Sequence, residues 1–283
     1  MKVLDLFSGI GGFSLGLERA GMETVAFCEF DKHAQKVLKK HWPDIPIHED
    51  VRTLDGTQYR GSVDVVCGGF PCQDLSVAGK KVGFEGDRSS LYREMLRIIS
   101  ECLPRYAIFE NVTGLLTGEQ GRWFGQFLYD LASVGYDAQW HCISASELGA
   151  HHHRDRVWIV AYPNMPHDKG GRLSRGIQKE ISESYGRSID GRTSEILAHS
   201  MRRGRQRQRE PIEPINTETK ENGEATKPID GCIGEIWETE PGVGRVVDGV
   251  WKRAYGHRLK QLGNAVVPQI PEVIGRAIME VES

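Results

Sequence analysis

DLFSGIGGFSLGLE, Asp5 to Glu18, decides how this chain is read. A short apolar stretch, KVLDLF from Lys2 to Phe7, runs into a glycine-rich turn and then into apolar residues at helical spacing. That order is strand, tight turn, helix. Glycine lets backbone come close to a ligand, and the first turn of a helix offers free N–H groups. Gly9, Gly11 and Gly12 are not spaced as G-x-G-x-x-G, and no G-K-S/T follows. Neither a dinucleotide fingerprint nor a phosphate loop is matched. The turn reads as the floor of a nucleotide-like cofactor site or as an ordinary βα connection.

The alternation continues outward from this turn. ETVAFCEF is a strand, and DKHAQKVLKKHW is a helix with Asp31 as its N-cap, stopped by Pro43. VDVVCGGF, YAIFENV and RVWIVAY are strands, and YDAQWHCISASEL is a strand region. SSLYREMLRIISECL and GRWFGQFLYDLASVG are amphipathic helices. The expected fold class is therefore α/β, a doubly wound, mostly parallel sheet with strand carboxyl ends along one ligand-binding edge. After Tyr162 the periodicity lapses. Residues 163–243 are rich in Gly, Arg, Glu, Ser and Thr, and order returns with an amphipathic helix from Pro271 to Val281. The expected organisation is a core at 1–162, an irregular region at 163–243 and a C-terminal segment at 244–283.

With 283 residues, 39% of them hydrophobic, the chain can bury a full core. It shows no basic leader and no run long enough to span a bilayer, so a cytoplasmic protein without a membrane partner is expected. Cys28, Cys67, Cys72, Cys102, Cys142 and Cys232 lack C-x-x-C spacing, which excludes a disulfide framework and a zinc finger. His151, His152 and His153 are adjacent and do not converge easily on one ion, so no metal is expected. The net charge of −3 hides two blocks. Residues 165–210 hold eleven Lys/Arg against six Asp/Glu, and residues 211–240 hold two against eight. The first block is a basic patch suited to phosphates.

Glu29, at the end of the second strand, is placed to accept hydrogen bonds from two ribose hydroxyls, and Asp50 could take an adenine amino group. Either acid alone reads as a solvated loop carboxylate, but together they outline an adenosine site. Cys72 follows Gly68, Gly69 and Pro71 at the mouth of a loop. A free thiol needs help to react, and a lone cytoplasmic cysteine reads as a small buried hydrophobe. Its neighbours on the same edge are Glu110 and Asn111 at one strand end, and Arg154 and Arg156 before the last strand. A thiol, a carboxyl and two arginines beside an adenosine site suggest attack on an electron-poor ring.

In this order, DLFSGIGG, GGFPCQDLSVAG, FENV, HHHRDRVWIVAY and LGNAVVP resemble the DNA (cytosine-5) methyltransferases of bacteria and phages. The resemblance covers about residues 1–162 and 258–283 and lapses between them. It implies a Rossmann-like, S-adenosylmethionine-dependent core with a small irregular target-recognition domain. It also implies methyl transfer from S-adenosyl-L-methionine to carbon 5 of a cytosine flipped out of double-stranded DNA. By similarity Cys72 forms a covalent adduct at carbon 6, and Glu110 bonds ring nitrogen 3 and the exocyclic amine. Arg156 grips the base oxygen, and Arg154 helps position the Cys loop and base. Phe7, Gly9, Gly11, Gly12, Glu29, Asp50, Val51, Pro71, Asn264 and Val266 would bind the cofactor. Gln73, Ser76, Lys80 and Lys81 would meet DNA from the loop after Cys72. Arg202, Arg203 and Arg205 would meet phosphates from the basic run.

The Arg-then-Thr-and-Glu motif that the family carries before GNAVVP is not evident here. GRVVDGVWKRAYGHRLKQL stands in its place, a form resembling short phage-type members. The expected setting is a restriction-modification or phage modification enzyme, working as a monomer, with a companion restriction endonuclease as a partner to look for. One rival is a tRNA cytosine-5 methyltransferase, which expects Pro-Pro-Cys where Phe70 precedes Pro71. A second is a non-catalytic DNA-binding protein on the same fold, which expects lost active-site residues. A third, a nicotinamide dehydrogenase, expects G-x-G-x-x-G.

Overall fold

The computed structural model describes residues 1–71, 91–163, 168–185 and 261–283. The opening strand is β1, Lys2–Leu6, and its helix is α1, Gly12–Arg19. Then come β2 (Glu23–Cys28), α2 (Lys32–His41), β3 (Ile47–His48), β4 (Val65–Gly68), α3 (Leu91–Cys102) and β5 (Tyr106–Val112). A short α4 (Gly114–Thr117) leads to α5 (Arg122–Ser133), β6 (Tyr136–Ser144), β7 (Asp155–Pro163), α6 (Asp168–Tyr185) and α7 (Gln269–Glu282). The helix starts follow local chemistry. Asp31 caps α2, its carboxylate accepting from the N–H of His33 at 2.8 Å.

Among the described residues the strands form one seven-stranded sheet in the order β3-β2-β1-β4-β5-β7-β6. β1 to β5 run parallel, and β7 runs antiparallel to both β5 and β6. This qualifies the expected edge. From β7 it is the amino end, not the carboxyl end, that lies beside the carboxyl end of β5.

Both sheet faces are covered, as the near-continuous apolar strands require. Leu4, Leu6, Val66, Phe109 and Ile159 share one core with Tyr92 and Met95 of α3 and Phe127 of α5. The alternate residues Val3, Val65, Ile108 and Trp158 are at most 1% exposed, and Trp158 meets Phe13 of α1 edge to face at 5.4 Å.

Past Tyr162 the chain continues into α6. The unexpected part is α6. Leu173, Ile177 and Ile181 are buried at i, i+4 and i+8, a stripe too narrow to stand out among polar neighbours. α6 packs on α7, where Gly176 lies against Ala277 and Lys179 pairs with Glu280 at 3.0 Å. α7 returns to the start of the fold. A Cβ at Gly12 would stand 2.5 Å from the Val266 carbonyl oxygen, and one at Gly16 would stand 2.2 Å from that of Pro268.

Asp5 is fully buried in β1 and accepts a 2.7 Å hydrogen bond from Ser14 Oγ of α1. Burial pushes its carboxyl from 3.8 up to about 7, against the pull of Ser14. Between those values only the folded state holds the proton. Stability therefore falls as pH rises through this window, by about 1.4 kcal/mol per pH unit from this one group. Asp5→Asn is expected to flatten that slope in urea unfolding at pH 5 and pH 8. An unchanged slope would place its source elsewhere.

Candidate active site

A cleft of about 810 Å³ opens at the carboxyl edge of the parallel strands. Its first wall is the β5–β7 pair. Glu110 lies opposite Trp158 in the register, and Arg156 lies two residues before Trp158 on the same strand. Residues two apart in a strand share a face, so Glu110 and Arg156 are diagonal neighbours. Arg156 Nε stands 2.9 Å from Glu110 Oε1, with side chains 22% and 14% exposed. Burial pushes Glu110 up, and the nearby Arg156 and Arg154 pull it down without cancelling the effect. The result favours a carboxyl that can hold a proton.

Two glycines and an asparagine bring the next segment to this pair. Gly68 lies in register with Leu6, where a Cβ would stand 2.5 Å from the Leu6 carbonyl oxygen. A Cβ at Gly69 would meet Glu110 Oε2 at 2.9 Å. Asn111 is 2% exposed, and its Nδ2 donates to the Phe70 carbonyl at 3.2 Å. Asn111 thus holds the chain two residues before Cys72, a role its place in FENV does not announce. Pro71 lines the cleft. Cys72, Gln73, Ser76, Lys80, Lys81, Arg202, Arg203 and Arg205 lie outside the described residues. Of the described cysteines, Cys28, Cys67 and Cys102 are buried and Cys142 is half-buried; burial pushes all four thiols up, to about 12 at Cys28 and Cys102.

The second wall belongs to β1, β2 and the segment after β3. Glu29 accepts from Gly9 N and Asp31 N, both at 2.7 Å, and so ties the glycine turn to the end of β2. Burial pushes its carboxyl up, with both N–H groups pulling the other way. Phe7 at φ 53 and Gly9 at φ 55 are left-handed, and Phe7 is a strained position for a side chain. Asp50 lies on this wall, held by Arg52 at 2.6 Å, a bond that keeps its carboxyl low. Val51 and Asn264 line the cleft as well.

Gly11, Gly12 and Val266, expected at the cofactor, are not among the described residues that line the cleft. A Cβ at Gly11 would stand 2.5 Å from the Trp42 ring, and Gly12 abuts Val266. Packing favours glycine at both positions, and at Gly11 a left-handed φ of 87° adds to it.

Two features went unread in the sequence. Phe30 lines the cleft next to Glu29 with 72% of its surface exposed. The available signal was a large apolar residue directly after the strand-end acid. Arg97 of α3 donates to the carbonyls of Val51 at 2.8 Å and Leu54 at 3.0 Å, and pairs with Glu94 and Glu101. Spaced i, i+3 and i+7, these three charges read as a solvated helix face. Among the described residues no cluster of His, Cys, Asp and Glu could hold a metal ion, and no helix is long and apolar enough to cross a membrane.

Residues 1–239 match the family described as C-5 cytosine-specific DNA methylase. The chain belongs to this family. The match continues through the region where the motif resemblance lapses, beyond Tyr162 to residue 239. Among the relatives of this C-5 cytosine-specific DNA methylase, the Type II methyltransferase M.Eco47II of Escherichia coli is 40% identical over 189 residues, which are 66% of this chain and 44% of that protein. M.NgoFVII of Neisseria gonorrhoeae is 36% identical over 160 residues, 56% of this chain and 43% of its own. M.DsaV of Dactylococcopsis salina is 29% identical over 217 residues, 71% and 61% respectively. The matched part of this methylase spans less than two thirds of each relative's length.

Proposed function

We propose that the protein is a DNA (cytosine-5-)-methyltransferase acting on a cytosine turned out of double-stranded DNA, with S-adenosyl-L-methionine as donor. The observation that carries this reading is the Glu110–Arg156 pair, facing the same cleft as Pro71 and Glu29. The second wall fits the donor. Glu29 and Asp50 offer carboxylate oxygens to ribose hydroxyls and an adenine amine, and Phe30 offers an exposed ring face to a purine. When bound, S-adenosyl-L-methionine supplies an electrophilic methyl group for carbon 5 of the base.

The chain's own groups prepare that carbon. Cytosine is inert at carbon 5 until a nucleophile adds at carbon 6, and Cys72, next after Pro71, is placed in sequence to add there. As the sulfur–carbon bond forms, the ring's electrons shift toward carbon 5. Glu110, pushed up by burial, holds a proton at ring nitrogen 3 and keeps those electrons in the ring. General acid help of this kind is worth roughly 10²–10⁴ in rate. Arg156 fixes Glu110 and offers a guanidinium to the base oxygen. Loss of the carbon-5 proton then restores the double bond and releases the thiol.

A base inside a stacked duplex is out of reach, so the nucleotide must leave the stack. Gln73, Ser76, Lys80 and Lys81 in the loop after Cys72 are assigned to hold the opened DNA, and Arg202, Arg203 and Arg205 to hold phosphates. The type II names of the bacterial relatives support a restriction-modification setting; a cytoplasmic location, a companion endonuclease and monomeric action belong to this same reading.

The test is a methyl-transfer assay with labelled donor, offering unmethylated duplex DNA and transfer RNA side by side, with bisulfite sequencing of the product. Label in DNA alone, at cytosines of one sequence context, is expected. Label in RNA alone, or in neither, would overturn the proposal.

A further inference from the structure

Arg154 stands two residues before Arg156 but points its bond elsewhere. Its Nη1 donates to the carbonyl of Gly263 at 2.8 Å, across 109 residues of chain. Gly263 precedes Asn264, and both line the cleft. They end a helical stretch at 261–264 that lies at the surface, with neighbouring Leu262 64% exposed. Contacts along it include Ala265 N to Leu262 O at 3.3 Å and the seating of Val266 against Gly12. Arg154 is therefore a link from the β7 wall to the exposed helical end at Gly263. Its position is costly, since burial and the like charge of Arg156 both work against its cation. A hydrogen bond from a charged donor to a carbonyl is strong enough to hold such a helix end in place.

We propose that Arg154 is a positioning residue for the cofactor, holding Asn264 at the cleft and joining that wall to the Glu110–Arg156 pair. The inference rests on the function proposed above and moves Arg154 from the base to the donor side. Arg154 and Arg156 share one strand end, so a base that orders Arg156 also orders Arg154 and, through Gly263, Asn264. By linkage, DNA and donor then tighten each other's binding.

Calorimetric titration of the full chain with S-adenosyl-L-methionine, without DNA, tests this. Arg154→Met keeps the bulk and removes the donor, and is expected to weaken binding roughly tenfold. Arg154→Lys, which can still donate to Gly263, is expected to stay within about threefold of wild type. Asn264→Ala is expected to match Arg154→Met, and the double variant to be no weaker than either single, because both changes remove one contact. Wild-type affinity in Arg154→Met, additive losses in the double variant, or a lowered melting temperature with an unchanged dissociation constant would overturn the inference. If Arg154→Met fails to fold, a tenfold loss in a folded Arg154→Lys would overturn it as well. A wild-type chain that does not bind the donor would instead overturn the proposed function, and this inference with it.

Discussion

Cys72→Ala is expected to lower methyl transfer by roughly 10⁴–10⁶-fold, the scale on which removal of a covalent nucleophile acts. Without the sulfur–carbon bond at carbon 6, carbon 5 gains no electron density, and none of the described cysteines is suited to substitute. Cys28, Cys67 and Cys102 are buried, Cys142 is half-buried, and burial pushes all four thiols up, away from a reactive thiolate. A second readout separates chemistry from folding. DNA carrying 5-fluorocytosine should trap the wild-type chain, because fluorine cannot leave carbon 5 as a cation and the thiol is not expelled. The adduct should survive denaturing electrophoresis and be absent with Cys72→Ala. A Cys72→Ala chain that methylates DNA at the wild-type rate would sink the mechanism.

Glu110→Gln should lower kcat by roughly 10²–10⁴-fold while leaving donor affinity nearly unchanged. Glutamine preserves an oxygen for Arg156 but cannot pass a proton to ring nitrogen 3. The pH profile carries the sign. Glu110 is pushed up by burial, and its protonated form is the one that donates, so wild-type kcat should fall as pH rises through its folded value. The glutamine variant should lack that limb. The amide oxygen still accepts from Arg156 and only the ion pair's charge is lost, so the unfolding free energy should fall by no more than about 1 kcal/mol. Wild-type kcat in a folded Glu110→Gln would remove Glu110 from the chemistry.

The two walls of the cleft differ in how far they were legible in the sequence. Glu29 could be placed from the strand–turn–helix pattern that precedes it, because strand ends and glycine turns are local features. Asn111 could be placed on the right edge but not given its bond to Phe70, since that bond spans 41 residues. At positions 11 and 12 a sequence shows that glycine is required and not what crowds it. Trp42 and Val266 do the crowding.

What the sequence by itself determined is the local part: β1, its turn and α1, the Asp31 cap, the alternation of strands and helices, and the order of the five motif blocks. Each rests on periodicity or on chemistry within a few residues, where the backbone's own preferences decide. Only the tertiary structure decided that β7 enters the sheet antiparallel, which sets Arg156 against Glu110 across 46 residues of chain. It also decided that α6 closes on α7, that Phe30 stays exposed at the cleft, and that Arg154 reaches Gly263. Those outcomes depend on which apolar surfaces bury each other, and a surface finds its partner only when the whole core assembles.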